Sequence, residues 1–233
     1  AFCSLAWTAE RIAALGQFVD RGGGLVVIHS ATWTKPKASA DVAAVLGVGG
    51  FQRWRHGAIS LQTTQPEHTI CLGLPPVLTL EDESYWPPTP PIDAADVQGL
   101  AASKEQAGPG QPATALQPMF WTYQRGQGRV FGCVLGHYSW TFDDPYFRLW
   151  LLRGLAWSAR ENPYRLDDLA LRSSKVANLT NKVASRRLGH TGPENMALTP
   201  ANVFAVDCDD VNTAYDPPKG HSYFRSGTEP GKP

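Results

Sequence analysis

"GRVFGCVLGHYSWTFDDPYFRLWLLRGLAW", residues 128–157, decides the reading of this chain. It opens as an apolar strand, closes that strand on Gly136-His137, and restarts as a helix. Asp143 or Asp144 supplies the N-cap and Pro145 suits the first turn. Phe147, Trp150, Leu151 and Leu155 then form one apolar stripe at helical spacing. A strand that hands over to a helix through a polar turn is a unit of an α/β domain. A glycine before the histidine lets backbone come close to that turn.

The same rhythm extends outward. Upstream, "ATALQPMFWTYQRGQGRVFGCVLG" reads as two extended arms around a glycine turn at Gln124 to Gly128. Near the start, Thr8 is placed to cap a helix whose stripe is Ile12, Leu15, Phe18 and Val19, and Gly22-Gly23-Gly24 stops it. "GLVVIHS" follows, a continuous apolar run of the kind found in parallel strands buried on both faces. Residues 39–47 form a short helix with Ser39 as cap. Strands are expected over 56–62, over the run ending in "EDE", and over 97–103. The expected architecture is therefore α/β with a mainly parallel sheet. Beyond about Asn162 the chain becomes polar and rich in Pro and Gly, which predicts a domain over 1–165 and a polar tail of low order over 166–233. The sequence opens at Ala1 and enters a helix almost at once, so an upstream segment is expected and the compartment, cytoplasmic or exported, is left open.

Composition sets the outer bounds. The 233 residues carry 21 basic and 21 acidic side chains, a balance that argues against a nucleic-acid or anionic-membrane surface. Apolar residues make up 42% and there are eight Trp, enough for a substantial core. No apolar run nears the roughly 20 residues that span a bilayer as a helix. Of Cys3, Cys71, Cys133 and Cys208, none forms a CxxC pair, and Cys71 and Cys133 sit in apolar runs as small buried hydrophobes.

Open α/β sheets bind ligands beyond the carboxyl ends of their strands. Three polar residues are read as ending strands: His29 after "GLVVI", Glu83 after "VLTLED", and His137 after "VFGCVLG". A histidine and a carboxylate in mutual reach suffice for general acid–base chemistry on a small polar molecule. Nucleophilic catalysis fits less well: no GxSxG surrounds Ser30, and Cys133 is mid-strand. A divalent metal could use His29, His56, Glu83 and His137, although no HxH or HExxH signature supports it.

Taken in order, "GGGLVVIHSATW", "GGFQRWRH", "EHTICLGLP", "LEDESYW" and the quoted 128–157 stretch resemble the ThuA-like (trehalose-utilisation) domain, from about Thr8 to about Ala159. The resemblance implies a class I glutamine amidotransferase-like fold, a flavodoxin-like three-layer α/β/α sandwich, here without the strand that opens family domains. It implies a role in the metabolism of trehalose, related disaccharides or their 3-keto derivatives. It also implies no glutaminase activity, because the elbow cysteine is missing. The family's recurring polar positions fall on His29, His56, Asp82, Glu83, Tyr85 and His137. The expectation is a small carbohydrate bound at the strand rim, with His29, Glu83 and His137 as acid–base groups. His56 and Asp82 would contact the ligand, and Tyr85 and Trp86 would offer a face to the sugar ring. Self-association is compatible with this reading. The competing one is a non-catalytic binding or assembly module on the same scaffold, which a separation of His29, Glu83 and His137 beyond about 10 Å would favour.

Overall fold

The computed structural model describes residues 7–33, 39–89, 97–108 and 110–170. Helix α1 is Ala9–Asp20 and is followed by strand β1, Gly24–Ile28, then helix α2, Ala40–Leu46. Strands β2 (Phe51–Thr63), β3 (Val77–Pro88), β4 (Val97–Gln106), β5 (Ala113–Arg125) and β6 (Gly128–Cys133) come next, and helix α3 is Pro145–Ser158. The caps are those the sequence offers. Thr8 Oγ1 accepts from Arg11 N, Ser39 Oγ from Val42 N, and Asp144, rather than Asp143, from Phe147 N. No described helix is long and apolar enough to cross a membrane.

The six strands form one sheet in the order β1-β6-β5-β4-β2-β3. The expectation of a mainly parallel, flavodoxin-like sheet is corrected: only β1 and β6 run parallel, and the other pairs are antiparallel. The reason is in the connections. Parallel neighbours need a long crossover, whereas β5 and β6 turn directly through Gly126 at φ +54° and β2 returns into β3 without a helix. The apolar run of β1 fits its one parallel pairing, with β6, but β1 is an edge strand in which only Val27 is buried, not a strand enclosed on both faces.

Helices cover both faces of the β5–β6 region. Neighbouring residues of a strand point to opposite faces. Phe120 stacks on Trp150 of α3 at 4.8 Å, while Trp121 Nε1 donates to Leu46 O of α2 at 2.8 Å. Both aromatic side chains are fully buried, each adding on the order of 2–3 kcal/mol through burial. Gly132 lies opposite Trp121, and a Cβ there would come 2.1 Å from the indole, so the large ring demands the missing side chain beside it. Arg125 fastens α1 and α2 to the end of β5, pairing with Asp20 and donating to Ala44 O.

The feature that positions the site is the β2–β3 hairpin. It joins the sheet only at its root, where Gln62 lies opposite Ala102 and Thr63 opposite Ala101. Past that point β2 parts from β4, and the hairpin reaches over the carboxyl ends of β1 and β6, with Trp140 Nε1 and the Gly136 and His137 amides bonded to β3.

Cys71 and Cys133 are buried as expected, and burial pushes the Cys71 thiol up to about 12. At the end of α3, buried Arg153 pairs with Asp167 and donates to Ile70 O and Leu72 O, so packing continues to fully buried Ala170. Cys3, Cys208 and the tail expected over 166–233 lie outside the described residues, apart from 166–170.

Candidate functional site

β1 ends at Ile28, and His29 takes a left-handed backbone, φ +52°, as the chain enters a short 3-10 turn. Few non-glycine residues adopt this conformation, at a cost of about 1–2 kcal/mol. Thr32 Oγ1 donates to His29 O at 2.6 Å and holds the turn. His29 Nδ1 lies 2.9 Å from Val134 O. With Nδ1–H donating there, the ring is fixed with Nε2 toward the hairpin. At the end of β6, Gly136 adopts φ +117°, and a Cβ at that position would meet Phe142 at 3.0 Å and Ile28 Cγ2 at 3.2 Å. That turn delivers His137.

The hairpin supplies the acid. His56 lies opposite Glu83 and Trp54 opposite Tyr85, so these four share one face of the arm. Glu83 is thus inside β3 and His56 inside β2; neither terminates or begins a strand, contrary to the sequence reading. The carboxylate comes from a strand crossing the rim, and the two imidazoles come from the rim itself.

Four polar atoms converge. Glu83 Oε2 lies 2.8 Å from His137 Nδ1, 3.2 Å from His29 Nε2 and 3.1 Å from Tyr85 Oη, which donates to it. His29 Nε2 is 3.1 Å from both His137 Nδ1 and Tyr85 Oη. His56 Nε2 stands at 3.6 Å from Glu83 Oε1, with its Nδ1 2.8 Å from Tyr138 Oη. His29, Glu83 and His137 are all buried.

The electrostatics follow from this crowding. Burial acts to raise the Glu83 pKa, but hydrogen bonds from His137 and His29 and their charge hold it well below the usual carboxylate range. Burial acts to lower that of His29, but the hydrogen bond and charge of Glu83 prevail and raise it above 6.5. Near neutrality the arrangement favours an ionised carboxylate beside a protonated imidazole.

Two residues expected at the ligand do something else. Asp82 is fully buried and accepts from the backbone of Glu83 at 2.6 Å, His137 at 2.9 Å and Gly136 at 2.9 Å. It ties the arm to the β6 turn. Trp86 is also buried, with Nε1 donating to Gln106 O at 2.7 Å. As the immediate neighbour of Tyr85 along the strand, it points to the opposite face. The aromatic groups actually at the cluster are Tyr85, backed by Trp33 and Phe51, together with Tyr138, Trp140 and half-exposed Trp54. Sequence reading missed Trp54, Tyr138 and Trp140. One step of the period-2 rule, back from His56, would have found Trp54.

His29, Glu83 and His137 offer one ligand atom each, all within 4.8 Å of one another. Two imidazoles and a carboxylate suit zinc and similar ions.

A family model described as "ThuA: Trehalose utilisation" matches residues 2–158. Among solved structures, the chain is similar in fold to a ThuA-like protein from Bacteroides uniformis ATCC 8492, with 20% identity, 70% of each chain covered and a TM-score of 0.56. A ThuA-like protein from Parabacteroides merdae ATCC 43184 is similar at 22% identity, with 67% of each chain covered and a TM-score of 0.52. No curated protein matches the chain.

Proposed function

Because the chain belongs to the ThuA family of trehalose utilisation, we propose that it acts on a sugar or keto-sugar by proton transfer at the His29–Glu83–His137 cluster. Membership supports a carbohydrate-related role at family level. One observation carries the rest: the two histidines and the acid, distant in sequence, lie 2.8–3.2 Å apart, far inside the 10 Å that would favour a passive scaffold. In this reading Glu83 is the general base and the His29 imidazolium the general acid, and His137 and Tyr85 fix the carboxylate between them. Trp54 and Trp140 offer the apolar faces on which a sugar ring packs.

The test is turnover of trehalose and a 3-keto disaccharide across pH. The rate is expected to be bell-shaped. It should fall as pH rises through the His29 value, above 6.5. It should also fall as pH drops toward the depressed Glu83 value, below 4.5. Absence of turnover with either sugar, alongside intact folding, overturns the reading.

A second reading has its own observation. Three donors point at one carboxylate oxygen, Glu83 Oε2, which offers about two lone-pair positions. A single divalent cation relieves that crowding: tetrahedral ligands about 2.1 Å from a zinc ion stand roughly 3.4 Å apart, close to the spacings seen here. His29, Glu83 and His137 would hold it, with the Val134 carbonyl setting the His29 tautomer. The ion would polarise a sugar carbonyl or hydroxyl. Metal analysis of purified protein should then find close to one ion per chain. A trace content ends this reading and leaves the acid–base one standing.

A further inference from the structure

Where β2 parts from β4, the fork between them opens into a cleft of about 520 Å³. Gln52, Arg53, Trp54, Arg55, Trp86 and Gln106 line it. Arg53 lies opposite Trp86 across the β2–β3 ladder, so both belong to the face turned away from His56 and Glu83. The volume falls within the range of small-molecule sites.

The charges of the cleft are unequal. Arg55 is used structurally: its guanidinium forms a fork on the fully buried Glu105 at 2.6 and 2.9 Å, and Ser103 Oγ donates to the same carboxylate. Arg53, two residues earlier and only partly buried, makes no ion pair among the described residues. Among the described residues no carboxylate lines the cleft; Glu105 is buried and paired with Arg55. What remains is an available guanidinium with the Gln106 side chain, and, at the edge where the arm's two faces meet, Gln52 and half-exposed Trp54, while buried Trp86 closes the wall. A guanidinium binds planar or tetrahedral oxyanions through paired hydrogen bonds. Amides bind hydroxyls, and an indole face packs on the C–H face of a sugar ring.

We infer that this fork cleft is a second ligand site, separate from the acid–base cluster, and that it takes a small anionic sugar whose carboxylate or phosphate is read by Arg53. Trp54 joins the two sites: it lines the cleft and packs edge-on against His56 at 5.3 Å.

The test is isothermal titration of the full chain with glucuronate, glucose 6-phosphate and glucose. It is repeated on Arg53→Gln, Arg53→Lys and Glu83→Gln, each first checked for an unchanged melting temperature or circular dichroism spectrum. At least one anion is expected to bind more tightly than glucose. Arg53→Gln should weaken that anion about 10- to 100-fold, the value of one charged hydrogen-bonded contact, and Arg53→Lys should weaken it less. Glu83→Gln should leave it unchanged. Binding of glucuronate alone assigns a carboxylate ligand and binding of the phosphate alone a phosphorylated one. Three results overturn the site: neither anion binding at ~10 mM, far weaker than ordinary ligand affinities; Arg53→Gln binding as the parent does; or Glu83→Gln abolishing the binding, which moves the anion to the acid–base cluster. The last outcome leaves the proposed sugar chemistry intact.

Discussion

Glu83→Gln is expected to lower turnover of a 3-keto disaccharide by about 10²–10⁴-fold, the usual contribution of a positioned acid or base. The substitution keeps shape and volume. It removes the charge that holds the His29 proton and turns an N–H toward nitrogens now facing a carboxylate oxygen 2.8 and 3.2 Å away. His29 should then lose its raised pKa, since the hydrogen bond and charge of Glu83 are what oppose burial there. The loss should appear in kcat with little change in KM, because the acid is enclosed and the aromatic mouth is untouched. Turnover within about threefold of the parent would remove the cluster from the chemistry. Stability offers a second readout. Ionised Glu83 stabilises above its ordinary value of 4.5, and that contribution is lost as pH falls. Protonated His29 stabilises below 6.5, and that contribution is lost as pH rises through its raised value. The difference in Tm between parent and variant should therefore peak between pH 4.5 and 6.5 and shrink on either side.

Asp82→Ala should be the most destabilising single change at the site, by about 3–5 kcal/mol, since each buried donor left unmet costs about 1–3 kcal/mol. The backbone N–H groups of Glu83, Gly136 and His137 all end on this carboxylate. Removing it leaves three enclosed donors unmet. Thermal unfolding should fall by roughly 6–20 °C for a domain of this size. Asp82→Asn separates the geometry from the charge. Its amide oxygen can keep the bonds to Glu83 and His137, while its N–H₂ faces the Gly136 donor, so a smaller loss is expected. A melting temperature unchanged in Asp82→Ala would show that the arm does not depend on this residue.

How much of this could be read from residues alone varies by element. His29 and His137 lie where the strand reading put them, His29 directly after β1 and His137 after β6 and the Gly136 turn. Glu83 lies beside them in the structure, although the premise for choosing it fails. Its acidic neighbours suggested a strand end, yet β3 runs on through Tyr85 and Trp86 to Pro88. The strand direction was misjudged because apolar content reports burial on both faces, and burial does not distinguish a parallel neighbour from an antiparallel one. Tyr85 and Trp86 were placed together at the ligand, although alternation alone puts them on opposite faces. Asp82 was expected to touch the ligand because the family resemblance puts a recurring polar position there, and a resemblance does not separate a carboxylate that ties backbone together from one that meets a ligand. No local pattern announces that a hairpin leaves the sheet at Gln62 and crosses the β1–β6 rim, because that path is set by contacts between segments far apart in sequence.

The parting of β2 from β4 has a mechanical consequence. From Gln62 to His56 the arm extends six residues, about 20 Å at the rise of a strand. A swing of about 3° at the root would displace the carboxylate by about 1 Å, enough to break its hydrogen bonds. From Gln62 toward His56 no β2–β4 ladder resists such a swing. That resistance comes from individual side chains acting as guy ropes: Arg55 to Glu105, Trp86 to Gln106, Asp82 to the Gly136 turn. Alignment of the acid with its imidazoles is thus set by tension among a few distant tethers, and slackening any one of them detunes chemistry it never touches.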